Sequence, residues 1–213
     1  MTTFSSGIEN LFKIEKMKRI VFAITASILI ISCSKEDPKP VIIQAVSPAA
    51  TYLYTGGLKD IPDRVGSTNG LFTAEINVTA DGIIGDASKV TIDIGLTHTF
   101  AGDLKIVLIT PDGSSCNLSN REGGDSNFIA ANIVSFNSTF TALIPGFGVD
   151  IPAGNYKQAF GSFGSPSDVL IADLLVNKRI LGVWKLKVYD EAPANAGTFS
   201  TFKINLAYGA LKQ

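Results

Sequence analysis

The chain has 213 residues, 46% hydrophobic and 17% charged, with a formal net charge of −1. That balance carries no basic surplus to hold nucleic acid and no acidic excess suited to a salt-adapted or metal-buffering surface. One histidine and two cysteines are too few to build a zinc or other transition-metal cluster.

The first organised segment is Lys18-Arg19, the apolar run 20–31, then Ser32-Cys33. Two cations, about a dozen apolar residues and a small residue make the pattern of a secretory signal. The run is shorter than the roughly 20 apolar residues that a membrane-spanning helix needs. Leu29-Ile30-Ile31-Ser32-Cys33 looks like a bacterial lipobox, in which the signal is removed before Cys33 and that cysteine takes lipid. An uncleaved anchor helix, or a plain signal with an incidental cysteine, are the alternatives; charge, length, small residue and cysteine in that order favour the lipoprotein. Met17 directly precedes the cations and is the better start. Residues 1–16 then form an upstream extension and 17–32 the signal. Ser34-Lys35-Glu36-Asp37 resembles the tag that sends some Gram-negative lipoproteins to the outer face of the outer membrane; otherwise it is a solvated tether. Pro38, Pro40 and Pro48 make residues 33–57 a linker. With Cys33 lipidated, Cys116 has no disulfide partner. It shares its parity with Leu118 and reads as a small buried hydrophobe.

The rest of the chain is long enough for one domain with its own core. Phe72, Ala74, Ile76 and Val78 share one parity, against Thr73, Glu75, Asn77 and Thr79. Val90, Ile92, Ile94 and Leu96 repeat the pattern. Such period-two alternation is a strand with one wet face. Residues 104–109 are apolar on both faces, which predicts a central strand. Trp184, Leu186 and Val188 mark a late strand; Phe202, Ile204, Leu206 and Tyr208 mark the last. Asp81-Gly82, Pro111-Asp112-Gly113, Gly123-Gly124 and Ala196-Gly197 separate these runs as turns. Only residues 168–181 leave room for a short helical turn. The expected fold is all-β, a jelly-roll-like two-sheet sandwich.

Several phrases then stand in a fixed order: Ile61-Pro62-Asp63; Thr97-His98-Thr99-Phe100-Ala101-Gly102-Asp103-Leu104; Thr110-Pro111-Asp112-Gly113; the stretch 118–128; Pro152-Ala153-Gly154-Asn155-Tyr156; Gly182-Val183-Trp184-Lys185-Leu186-Lys187-Val188-Tyr189-Asp190; and Gly197-Thr198-Phe199. Together they resemble the P domain, or homo B domain, of proprotein convertases and bacterial secreted subtilisin-like proteases. The resemblance covers residues 58–209, with 210–213 as a tail. Ala101 stands where the family often has a polar residue, 129–147 is unusually apolar, and 162–180 is long. The resemblance implies a β-sandwich, in agreement with the alternation. It also implies a domain that supports a protease domain, and none is recognisable in this sequence.

A catalytic triad needs a nucleophile, a base and an orienting acid. The single histidine, His98, has the parity of Leu96 and Phe100 and should point inward, and no Gly-x-Ser-x-Gly elbow occurs. The chain is expected to be non-catalytic. Asp103 precedes one strand, Asp190 ends another on its core-facing parity, and Asp125 lies in a glycine-rich loop. Calcium takes six to eight oxygen ligands on flexible loops. The resemblance implies calcium, carried over onto Asp103 and Asp190, with Asp125 weaker; capping of backbone turns is the competing role. Two functions remain: a surface-tethered accessory module that binds a protein, or a jelly-roll carbohydrate-binding module. The second needs aromatic platforms, for which Tyr52, Tyr54, Tyr156 and Phe163 are the candidates.

Overall fold

The computed structural model describes residues 46–159 and 169–212. The signal, Cys33, the charged run after it and Phe163 lie outside them. In chain order the elements are β1 (Ala50–Leu53), β2 (Lys59–Ile61), β3 (Gly70–Val78), β4 (Ile83–Ile84), β5 (Val90–His98), β6 (Leu104–Ile109), β7 (Ser115–Asn120), β8 (Val134–Phe136), β9 (Gly154–Tyr156), α1 (Ile171–Leu175), β10 (Gly182–Asp190), β11 (Gly197–Leu206) and β12 (Leu211–Lys212). One sheet runs β1-β11-β5-β8-β9, with β2 also on β11. The other runs β3-β10-β6-β7, and β4 and β12 form a small ribbon. The fold is the expected all-β sandwich.

Alternation sets which faces meet. In β5 the residues Val90, Ile92, Ile94 and Leu96 are buried, and in β10 Trp184, Leu186 and Val188 are buried. Leu104, Ile106 and Leu108 of β6 join the same core from between β10 and β7. The sheets touch through aromatic rings: Phe72 of β3 lies 4.8 Å from Phe199 of β11, and Tyr54 meets both edge-on. Trp184 is 1% exposed, and its indole N–H donates to the Ile180 carbonyl at 2.8 Å, which satisfies its one polar atom inside the core. Cys116 is buried in β7 as a small hydrophobe.

Three local expectations need correction, and one stretch to which the sequence assigned no element gains a strand. Residues 50–53 are not tether: they form β1, paired with β11 from Ala50↔Leu206 to Leu53↔Lys203. Leu211–Lys212 are not a loose tail but strand β12 on β4. The last long strand stops at Leu206, so Tyr208 is off the sheet and 64% exposed. The apolar stretch 129–147 contains β8, whose Val134 and Phe136 bury against β5 while Ser135 bonds Asp93. Three residues are too few for alternation to announce a strand; the register with Ile92 and Ile94 does it.

Candidate functional site: the loop end around His98, Asp190 and Asp63

The antiparallel registers bring one end of each sheet together. His98 pairs with Gly197, Asp190 with both Gly70 and Leu104. Two glycines make this close approach possible. A Cβ at Gly70 would collide with the Pro62 carbonyl, and one at Gly197 with the Thr97 carbonyl and the His98 ring.

His98 points inward as its parity requires, and its side chain and that of Asp190 have no exposed surface. Its Nε2 lies 3.2 Å from Asp190 Oδ2 and its Nδ1 2.8 Å from the Phe100 carbonyl. Asp190 Oδ1 accepts the Ala192 N–H at 3.2 Å. Both Asp190 oxygens are thus held by protein donors: it fastens β10 to the histidine of β5 and caps the turn after it. Asp103 is nearly buried, and its Oδ2 accepts from the Asn195 amide at 3.1 Å, while Thr99 donates to the Asn195 carbonyl oxygen at 2.9 Å. Burial pushes the Asp103 carboxyl up, partly offset by the Asn195 bond.

Asp63 joins this turn from the far side of the sequence. Its Oδ2 accepts the Ala194 N–H at 3.0 Å, and its Oδ1 is the one buried side-chain polar atom without a partner among the described residues. Asp63 and Asp103 therefore converge on the Ala194–Asn195 turn, where Ala194 has φ +82°. Asp125 is not drawn into this cluster. It is exposed on the next loop, its carboxylate facing Gly148. Among the described residues no three His, Cys, Asp or Glu side chains gather as a metal-binding group. The oxygen left free to take a cation or a water is Asp63 Oδ1. Sequence reasoning singled out Asp103 but not Asp63 or Asn195. The phrase Ile61-Pro62-Asp63 was visible, but nothing local places it beside residue 194.

At the opposite end, a cleft of about 590 Å³ is lined by Thr110, Asp112, Asp173, Asn177, Lys178 and Arg179 among others. Its cations are already paired. Lys178 binds Asp112 and Ser114, and Arg179 grips both oxygens of Asp81 at 2.6 and 2.7 Å.

Residues 87–145, from the turn before β5 through β8 and into the loop after it, match the proprotein convertase P-domain family. That stretch of the chain matches a P domain. The match includes His98, Asp103 and Asp125, and P domains are non-catalytic domains of proteases. The chain is also similar to leupeptin-inactivating enzyme 1 of Streptomyces exfoliatus, 29% identical over 128 residues, which is 60% of this chain and 20% of that protein. Two solved structures of the Aeromonas sobria serine protease are similar as well. The protease by itself matches at 12% identity with a TM-score of 0.39, and its complex with the chaperone ORF2 at 13% with 0.37. Each alignment spans 81% of this chain and 28% of the solved one. The chain thus spans about a fifth of the curated relative's length and under a third of the protease's.

Proposed function

We propose that the chain is a lipid-anchored lipoprotein, attached through Cys33 to the outer membrane and facing the cell surface. Its P domain acts there as a non-catalytic accessory or protein-interaction module for a partner associated with serine-type endopeptidases. The observation that carries the non-catalytic part is the state of His98. It is fully buried and committed to Asp190 and the Phe100 carbonyl, and so does not face a hydroxyl nucleophile. The signal residues 18–33 support the anchor. The glycan-binding alternative is less well supported, because the described platforms are buried or half-buried against the core. Tyr156 is 6% exposed with its hydroxyl on the Pro152 carbonyl, and Tyr54 stacks edge-on against Phe72 and Phe199.

Calcium belongs to the same reading, held by Asp103 with Asp63 rather than by Asp190 or Asp125. The orphaned Asp63 oxygen is what supports it. A ligand bound only by the folded state stabilises it by roughly 2.7 kcal/mol at a hundredfold excess over its dissociation constant. Two measurements on the full chain test the proposal. Membrane fractionation with surface proteolysis should find the wild type membrane-bound and accessible, and Cys33→Ala released; a Cys33→Ala variant that stays bound overturns the anchor. Calorimetry should show a calcium-dependent melting temperature that Asp63→Asn abolishes. Melting indifferent to calcium and chelator, after stripping of carried-over ion, removes the metal.

A further inference from the structure

We propose that the loop bearing Phe147 is the docking surface of this P domain, and that its partner is a folded protein with an apolar pocket for the phenyl ring rimmed by Lys or Arg. The proposal rests on the interaction-module reading and adds where the partner sits and what it looks like.

Phe147 is 95% exposed, a large aromatic ring left almost wholly in water. Its φ is +76°, a left-handed backbone that a bulky residue adopts only under strain. Folding gains nothing from a strained phenylalanine at this position, where glycine would be easier and no burial repays the ring. Gly146 and Gly148 flank it, and Gly148 has φ +67°. The loop is nevertheless firmly seated. Ile144 and Ile151 on either side are buried, and a Cβ at Gly123 would touch both. Asn127 N–H donates to the Val149 carbonyl at 2.9 Å and Ile151 N–H to the Asn127 carbonyl at 2.8 Å. The ring is therefore presented on a preorganised support, the arrangement that lowers the ordering cost of binding.

The surroundings state the partner's chemistry. Leu143, Val149 and Phe100 are 54%, 44% and 37% exposed around the same loops, and Phe100 packs beside Gly102 and Gly124. An aromatic anchor among smaller apolar neighbours is the composition of a binding hot spot. The charges beside it are acidic. Asp125 faces Gly148, Asp150 follows Val149, and both are exposed, with Glu122 half-buried behind them. Of the nearby cations, Arg121 sends its Nε to the Gly102 carbonyl at 2.8 Å, and Lys157 is exposed with its N–H on the carbonyl of Ala142, next to Leu143. An acidic rim calls for a basic partner and disfavours an anionic lipid surface. The loop also lies at the His98 end of β5, whereas β1 begins at the other end of β11, at Ala50↔Leu206. β2 and Asp63 do reach the His98 end, but on the β11 side, at Gly197 and Ala194.

The test places a photo-crosslinking benzoylphenylalanine at position 147 of the full chain in producing cells, with position 208, exposed at the opposite end, as control. The crosslinked protein is identified, purified and titrated against wild type, Phe147→Asp and the double variant Asp125→Lys/Asp150→Lys. Expected is one protein captured from position 147 alone. Its affinity should fall at least tenfold with either variant and weaken with salt, while the variants melt as wild type does. Capture only of a second copy, lipid or glycan overturns the proposal, as does a partner indifferent to charge reversal. Capture from position 208 alone also overturns it but leaves the interaction-module reading standing. No capture from either position removes both.

Discussion

Removing the Asp190 carboxylate tests the arrangement at the loop end most directly. Asp190→Ala withdraws the acceptor from the His98 ring at 3.2 Å and from the Ala192 N–H at 3.2 Å. The histidine and aspartate side chains are completely buried, so water cannot substitute at that pair. An orphaned buried donor costs about 1–3 kcal/mol, and breaking a buried pair by removing one partner costs about 3–5 kcal/mol. Part of this is returned, because the Asp190 charge helps push up the Asp103 carboxyl and its removal relieves that repulsion. A net loss of about 3–4 kcal/mol follows, a large share of the 5–15 kcal/mol typical of a domain. Asp190→Asn keeps an oxygen in place and should cost about 1–2 kcal/mol. Urea unfolding followed by Trp184 fluorescence measures both. Adding His98→Ala to Asp190→Ala closes a double-mutant cycle, whose coupling should be about 1.5–3 kcal/mol. A loss under about 1 kcal/mol, or a coupling near zero, would refute the pairing. A loss that disappears in chelator would instead make Asp190 a calcium ligand.

Trp184→Ala should cost about 3–5 kcal/mol by cavity formation, and Trp184→Phe about 1–2, since it loses the bond to Ile180 but keeps most of the packing; thermal unfolding by circular dichroism checks the ranking. The acid limb of stability should show two opposite contributions. Arg179 lowers the Asp81 carboxyl from 3.8 to about 2, chiefly through its hydrogen bond, and Lys178 holds Asp112 below the usual carboxylate range. These two stabilise above about pH 4 and the stabilisation is lost as pH falls through their folded values, so Arg179→Gln should flatten the acid limb slightly. Asp103 runs the other way: raised by burial, it contributes stability below its unfolded value that is lost as pH rises through the folded one. Without calcium, Asp103→Asn should therefore raise the neutral-pH melting temperature; a lowered one in chelator contradicts the sign.

The sequence by itself determined the sandwich. Long strands buried on one face must alternate, so β3, β5, β6, β10 and β11, the inward His98 and the core-facing end of β10 at Asp190 were all legible as parity. Local chemistry marked the turn glycines and the helical turn in 168–181, where α1 forms. Short strands escaped: β1, β8 and β12 are too brief for period two, and long-range pairing alone makes them strands. The site escaped for a related reason. His98 meets Asp190 across 92 residues and Asp63 meets Ala194 across 131. Neither separation leaves a periodic trace, because parity specifies which face a side chain takes and not which strand end lies beside it. That Asp190 meets His98 and caps the turn at Ala192, and that Phe147 stands in water rather than in the apolar insert it belongs to, depended on strand register and loop seating. Those are settled only when both sheets close on one core.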